Sequence, residues 1–203
     1  MSRPNFAFEK TQAKMRKLIV AAALAIVFCA VPAKAQDRQS QWAISTNIPS
    51  WALLGTLNAG VHYAIDCSWS LEAQIKYNPF SYARGSEKQT QLRQLTPSLG
   101  ARYWFDTVYC GWFAGAKLLY SVYNVAGIAS SGAFEGELAG AALLGGYNME
   151  LNDSLSLGLG CGVAAARHRT TFYAAPGCGR ILSRKKGWCV FPSDVMVTMF
   201  INL

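Results

Sequence analysis

Charged residues are scarce in this chain of 203 residues, where Lys, Arg, Asp and Glu together make up 15%. It has only two histidines, His62 and His168, and no pattern shows which serine either would activate for catalysis. The cysteines form no C-x-x-C pair, and the glycines of residues 158–162 lack the lysine and helix of a phosphate-binding loop. These absences predict a protein that is not an enzyme and holds no metal or cofactor.

The chain has one long apolar run, over residues 18–31, directly after Arg16 and Lys17. An Ala-x-Ala cleavage site follows, so we predict a signal peptide over residues 1–35 and secretion of the rest. A transmembrane anchor is the alternative, but the run is shorter than the ~20 residues that a spanning helix needs. Met15 is a second candidate start, because the residues before it add nothing that a signal peptide requires.

The high net charge belongs largely to this leader. The whole chain carries +8, but six of its nineteen basic residues and one of its eleven acidic residues lie in residues 1–35, so the mature chain carries +3. Nucleic-acid binding therefore loses its main support. Residues 36–203 contain no linker or charge block, which predicts a single domain.

Alternating apolar and polar residues dominate the mature chain, most clearly over residues 69–80. A period of two indicates a strand with one apolar and one polar face. Short turns alternate with longer loops, a pattern typical of membrane barrels. We predict an all-β fold, an antiparallel up-and-down transmembrane β-barrel of eight strands in the cell outer membrane. The predicted strands cover residues 42–51, 57–66, 69–80, 98–105, 112–125, 134–151, 154–172 and 188–203.

A soluble lipocalin-like barrel would show the same alternation with its apolar face inward. Water-facing surfaces are roughly 25–35% charged, whereas the polar faces here are mostly small residues with isolated charges, which favours a lumen. We predict that five charges point into it and form an internal ion network, with a gated pore as the alternative. They are Glu72, Lys76, Arg102, Lys117 and Glu137.

The last predicted loop, residues 173–187, carries Arg180, Arg184, Lys185 and Lys186. These cations would meet anionic lipopolysaccharide groups, or they form an ordinary solvated loop. In an oxidising compartment disulfides are expected where geometry allows. Two pairs are candidates: Cys178 with Cys189 across the last loop, and Cys67 with Cys110 in successive tight turns.

Several stretches resemble a family of small uncharacterised outer-membrane proteins of Bacteroidota: WAISTNIPSWALLGTLNAGVHYAI, WSLEAQIKYNPF, ARYWF and GWFAGAKLLYSVYNVAGI. The resemblance implies an outer-membrane β-barrel, with some members encoded near fimbrial or surface-assembly components, and it supplies no catalytic residues. A structural or surface-interaction role with envelope or fimbrial partners is thus expected. The alternative is a transport or binding barrel for a small hydrophobic or ionic ligand, or a soluble periplasmic binder.

Overall fold

The computed structural model describes residues 41–52, 55–82, 90–128, 132–152, 154–174 and 180–202. The chain divides into two units, residues 1–39 and 40–203, and every described residue belongs to the second. The predicted signal peptide therefore lies outside the described residues. In the described part of the chain, no helix has the length and apolar character needed to cross a bilayer.

The described residues form nine strands and one short helix, and eight strands close a ring. The elements are β1 Trp42–Asn47, α1 Ile48–Ala52, β2 Leu57–Ala64, β3 Trp69–Asn78, β4 Ser81–Tyr82, β5 Thr90–Trp104, β6 Gly111–Ala126, β7 Ala133–Asn152, β8 Leu155–Tyr173 and β9 Ile181–Asn202. Around the ring the order is β3-β2-β1-β9-β8-β7-β6-β5, and β5 pairs with β3 to close it. All neighbours are antiparallel, so the all-β class and the eight antiparallel strands are confirmed.

The connections alternate between short and long, as predicted. Residues 65–68 and 105–110 make short turns at one end of the ring, where β7 also ends at Asn152 and β8 begins at Leu155; we call it the turn end. The strand ends that the longer connections join lie at the opposite end, which we call the loop end. These pairs of strand ends are Asn47 and Leu57, Asn78 and Thr90, Ala126 and Ala133, and Tyr173 and Ile181.

Three strand boundaries differ most from prediction, and the short strand β4 lies in a predicted loop. The first strand stops at Asn47, where the side chain of Asn58 accepts from the Asn47 N–H at 2.6 Å and donates to its carbonyl at 2.9 Å. These side-chain bonds take the place of the backbone hydrogen bonds between β1 and β2, and helix α1 begins at the next residue. At the loop end, β5 begins at Thr90 and β9 at Ile181, so part of each predicted loop is strand. Backbone pairing carries these strands past the end of the apolar pattern.

Side chains alternate between two faces of the ring, which we call the inner and outer faces. In β7 the even-numbered Ala142 and Leu144 are buried on the inner face, whereas Leu143 is 71% exposed on the outer face. The Ala- and Gly-rich runs of β7 and β8 are strands, as predicted, because their glycines sit where antiparallel neighbours come close. A Cβ at Gly146, for example, would lie 2.8 Å from the ring of Phe113.

Candidate functional site

The outer face carries a continuous belt of uncharged residues, which we call the apolar band. On β8 it runs from Leu155 to Ala165, and on β9 from Trp188 to Ile201. Large apolar side chains in it are exposed, including Leu118 at 69% and Leu99 at 65%. The band comprises the outward residues of 42–46, 57–63, 69–77, 95–105, 112–122, 139–149, 155–165 and 188–201.

Aromatic pairs line the turn-end border of the apolar band. Ring centroids are 4.8 Å apart in Trp42–Tyr63, 5.2 Å in Trp69–Tyr103 and 5.2 Å in Trp112–Tyr147. Each pair joins neighbouring strands, because the register places the two rings side by side. We call this row the aromatic girdle.

Among the described strand residues, charges on the outer face lie beyond the loop-end border of the band. We call this part the charged extension; it includes Arg93, Glu135, Glu137, Arg167, Arg169, Arg184 and Lys186. The hydroxyl of Tyr120 donates to Glu137 at 2.8 Å, and Arg169 lies 3.5 Å from the same carboxylate. The prediction that Glu137 joins the inner charges is thus corrected, since the odd-numbered residues of β7 face outward.

Most of the cations predicted for the last loop lie on a strand instead. Arg184, Lys185 and Lys186 lie on strand β9, and only Arg180 precedes it. Strand alternation separates them: Arg184 and Lys186 lie opposite the outward residues of β8, whereas the Lys185 ammonium lies 5.5 Å from the centroid of the Phe172 ring.

The other four predicted inner charges do face the interior, in two groups. In the first, Arg102 Nε donates to Glu72 Oε2 at 2.6 Å, and both side chains are at most 5% exposed. His62 Nδ1 lies 3.9 Å from the same oxygen, and its Nε2 lies 2.8 Å from the Ser45 hydroxyl. A buried pair of this kind leaves little charge uncompensated.

In the second group, one carboxylate holds two lysines. Asp194 Oδ1 lies 2.6 Å from Lys76 Nζ, and Oδ2 lies 2.7 Å from Lys117 Nζ. Asp194 was not among the residues predicted from the sequence. A signal was available, because it is the one acidic residue of the last predicted strand, but its orientation depends on a β-bulge at Ser193.

Aromatic side chains close the turn end of the interior. The 105–110 turn folds inward, placing Tyr109 at 3% exposure beside Trp104, with centroids 5.8 Å apart. Burial raises the pKa of the Tyr109 hydroxyl. Arg102 stacks over Phe113 at 4.8 Å, and Phe200 completes the group. We call these residues the aromatic plug.

On the loop-end side of the lysine–aspartate group lies a cavity of about 360 Å³. Its floor includes Lys76, Lys117 and Asp194, and its wall includes Leu138 and Phe191. The interior is therefore filled at one end and hollow at the other.

A family of proteins of unknown function, DUF3575, matches residues 21–203. The chain belongs to this family. No curated protein and no solved structure matches the chain. Membership of DUF3575 agrees with the expected uncharacterised family and assigns no role to any residue.

Cys67, Cys110 and Cys161 of this DUF3575 protein are free thiols. Cys67 and Cys110 are therefore not paired, which corrects the predicted disulfide. Their turns touch through the backbone, where Val108 N–H donates to the Cys67 carbonyl at 2.7 Å. Burial, followed by the nearby acidic side chains, raises the pKa of the Cys110 thiol. Cys178 lies outside the described residues, so its predicted pairing with Cys189 stays a prediction.

Proposed function

We propose that this DUF3575 protein is a β-barrel embedded in the bacterial outer membrane, with a non-enzymatic structural or surface-interaction role at its loop end. One observation carries the proposal: the exposed outer face is apolar, whereas Glu72, Arg102 and Asp194 are buried inside. A soluble barrel places its apolar face inward, because water favours burial of apolar area. Hydrocarbon reverses that preference and tolerates an apolar exterior.

The height of the apolar band also supports a bilayer setting. On β8 it extends from Leu155 to Ala165, beyond which Arg167 and Arg169 follow. The ten steps between these eleven residues, at about 3.3 Å each and tilted by roughly 40°, rise ~25 Å. The outward apolar band of known membrane barrels is about 25 Å tall. The aromatic girdle lies at one border, where rings favour the interface with lipid headgroups.

The charged extension suggests what the loop end meets. Four of its outward cations lie on neighbouring strands, Arg167 and Arg169 on β8 and Arg184 and Lys186 on β9. Arginine pairs readily with phosphate and carboxylate groups. We propose lipopolysaccharide as their lipid partner, and envelope or fimbrial proteins as partners of the loops beyond them.

Two cysteines provide a matched test of the membrane setting, because Cys67 and Cys161 are both exposed. Cys67 lies in a turn, whereas Cys161 lies in the middle of the apolar band. Two variants would each keep one of them as the single thiol of the mature chain. In outer-membrane fragments we expect a water-soluble maleimide to label Cys67, and to label Cys161 only after unfolding in hot SDS.

Cell fractionation and gel mobility with and without boiling complete the test. We expect the protein in the outer-membrane fraction, with a band that shifts on heating. A soluble periplasmic protein whose Cys161 reacts as fast as Cys67 would overturn the proposal.

A further inference from the structure

The interior cavity combines a cationic floor with an apolar wall, and nothing in the proposed role uses it. Lys76 and Lys117 lie at the floor, whereas Leu138 and Phe191 line the wall and pack against the buried core. A volume of about 360 Å³ is at the small end of the range for ligand sites. An occupant would be a short molecule with one polar and one apolar end.

A β-bulge builds this arrangement. The register of β9 against β8 shifts between Gly162 and Val163, so that Ser193 is the extra residue. In a regular strand, residues 191 and 194 would face opposite sides. The bulge directs both Phe191 and Asp194 to the inner face, which is a recognised effect of such irregularities near binding sites.

The two lysines of the floor have N–H donors that could bind a ligand. An ammonium has three N–H donors. Lys76 uses two, to Asp194 Oδ1 and the Ser193 carbonyl. Lys117 donates one to Gln74 and forms an ion pair with Asp194 Oδ2 at 2.7 Å. Counting the described residues, each lysine keeps at least one donor for a further acceptor. The buried Ser193 hydroxyl, which also lines the cavity, has no hydrogen-bond partner among those residues either.

The charge balance favours an anion. The two inner ion groups contain three cations and two carboxylates, since Lys76, Lys117 and Arg102 face Glu72 and Asp194. One positive charge is left over in a surrounding where unpaired charge is costly. A carboxylate placed between the two ammonium groups would neutralise it.

We infer that the cavity binds a medium-chain fatty carboxylate. The carboxylate accepts from Lys76, Lys117 and the Ser193 hydroxyl, and the alkyl chain lies against Leu138 and Phe191. This ligand site concerns the ring interior and goes beyond the proposed surface role.

The probe is octanoate, titrated calorimetrically into the full expressed protein in lipid nanodiscs, with empty nanodiscs subtracted. If the protein fractionates as soluble, the same titration is made in buffer, so failure of the membrane proposal leaves this test intact. We expect saturable binding of one octanoate, and at least tenfold weaker binding of octanol, which lacks the charge.

Two pairs of variants locate the site. Leu138→Trp fills the cavity without touching an ion, and we expect it to abolish saturable binding; Leu143→Trp adds the same bulk to the outer face and should leave binding unchanged. Lys76→Gln should weaken binding about tenfold, whereas Lys186→Gln on the charged extension should not. Each variant is first checked for the heat-dependent gel shift or, if soluble, for native circular dichroism.

Three results would overturn the inference. The first is octanoate uptake that does not saturate beyond that of empty nanodiscs. The second is equal binding by Leu138→Trp and Leu143→Trp. The third is equal affinity for octanoate and octanol. Because Leu138→Trp leaves all ion pairs in place, the inference stays testable if Lys76→Gln does not fold.

Discussion

The turn-end half and the loop-end half of the ring share the same antiparallel ladder but distribute polar groups in opposite ways. Toward the turn end, the outer face is apolar and the interior is filled by the aromatic plug and the Glu72–Arg102 pair. Toward the loop end, the outer face carries Glu137 and Arg169, and the interior is hollow. Backbone pairing alone does not decide where charge can lie.

The two halves of the ring therefore suit different surroundings. An Arg–Glu ion pair is buried in the turn-end half, and another is exposed to solvent in the loop-end half. Breaking the buried pair should therefore lower the free energy of unfolding more than breaking the exposed pair. Arg102–Glu72 has side chains 5% and 3% exposed, whereas Arg169–Glu137 has side chains 63% and 43% exposed. Substitutions matched between the halves test this contrast.

The largest expected effect comes from Arg102→Met. It leaves the Glu72 carboxylate buried without its closest cation, which should lower the free energy of unfolding by ~3–5 kcal/mol. The measurement is urea unfolding of the protein in lipid vesicles, followed by gel mobility. Arg169→Met breaks the exposed pair and should cost about 0.5 kcal/mol or less.

A double variant shows which of two contacts of Arg102 accounts for the lost stability. If Glu72→Gln restores part of the stability lost in Arg102→Met, the loss comes from the unpaired carboxylate rather than from packing on Phe113. Equal losses from Arg102→Met and Arg169→Met would remove the contrast between the two halves.

A second comparison places a charge on the outer face of each half. Leu143→Arg lies in the apolar band, at 71% exposure, and Leu182→Arg lies at the loop end, at 62%. In a bilayer we expect the first to cost about 2–4 kcal/mol and the second about 0–1 kcal/mol. The same urea titration measures both. A soluble ring would tolerate both substitutions alike, and that outcome would contradict the membrane setting.

The smallest expected effect concerns the rings at the two borders of the band. Trp112 packs against Tyr147 in the aromatic girdle, whereas Trp188, 74% exposed, has no ring partner among the described residues. Trp112→Leu should therefore cost ~1 kcal/mol, and Trp188→Leu less. Equal costs in vesicle unfolding would mean that lipid contact, and not ring pairing, stabilises the girdle.

The strand pattern and four of the five inner charges could be predicted from sequence, because alternation assigns each residue to a face once the strand is recognised. The face of Glu137 could not be predicted, because small and apolar residues on both faces of β7 give no apolar–polar contrast. Asp194 was missed because its face depends on the bulge at Ser193, which no periodicity reveals. The extension of β9 to Ile181 was missed because its residues there are charged.

Eight strands and their uncharged outer residues follow from local order along the chain, since a period of two depends on nothing else. Which groups meet depends on the folded ring. Lys76 and Asp194 are 118 residues apart in the chain and come within 2.6 Å only when the ring closes. Ring closure, strand register and one bulge set that distance, because a strand alone specifies a face but no partner across the interior.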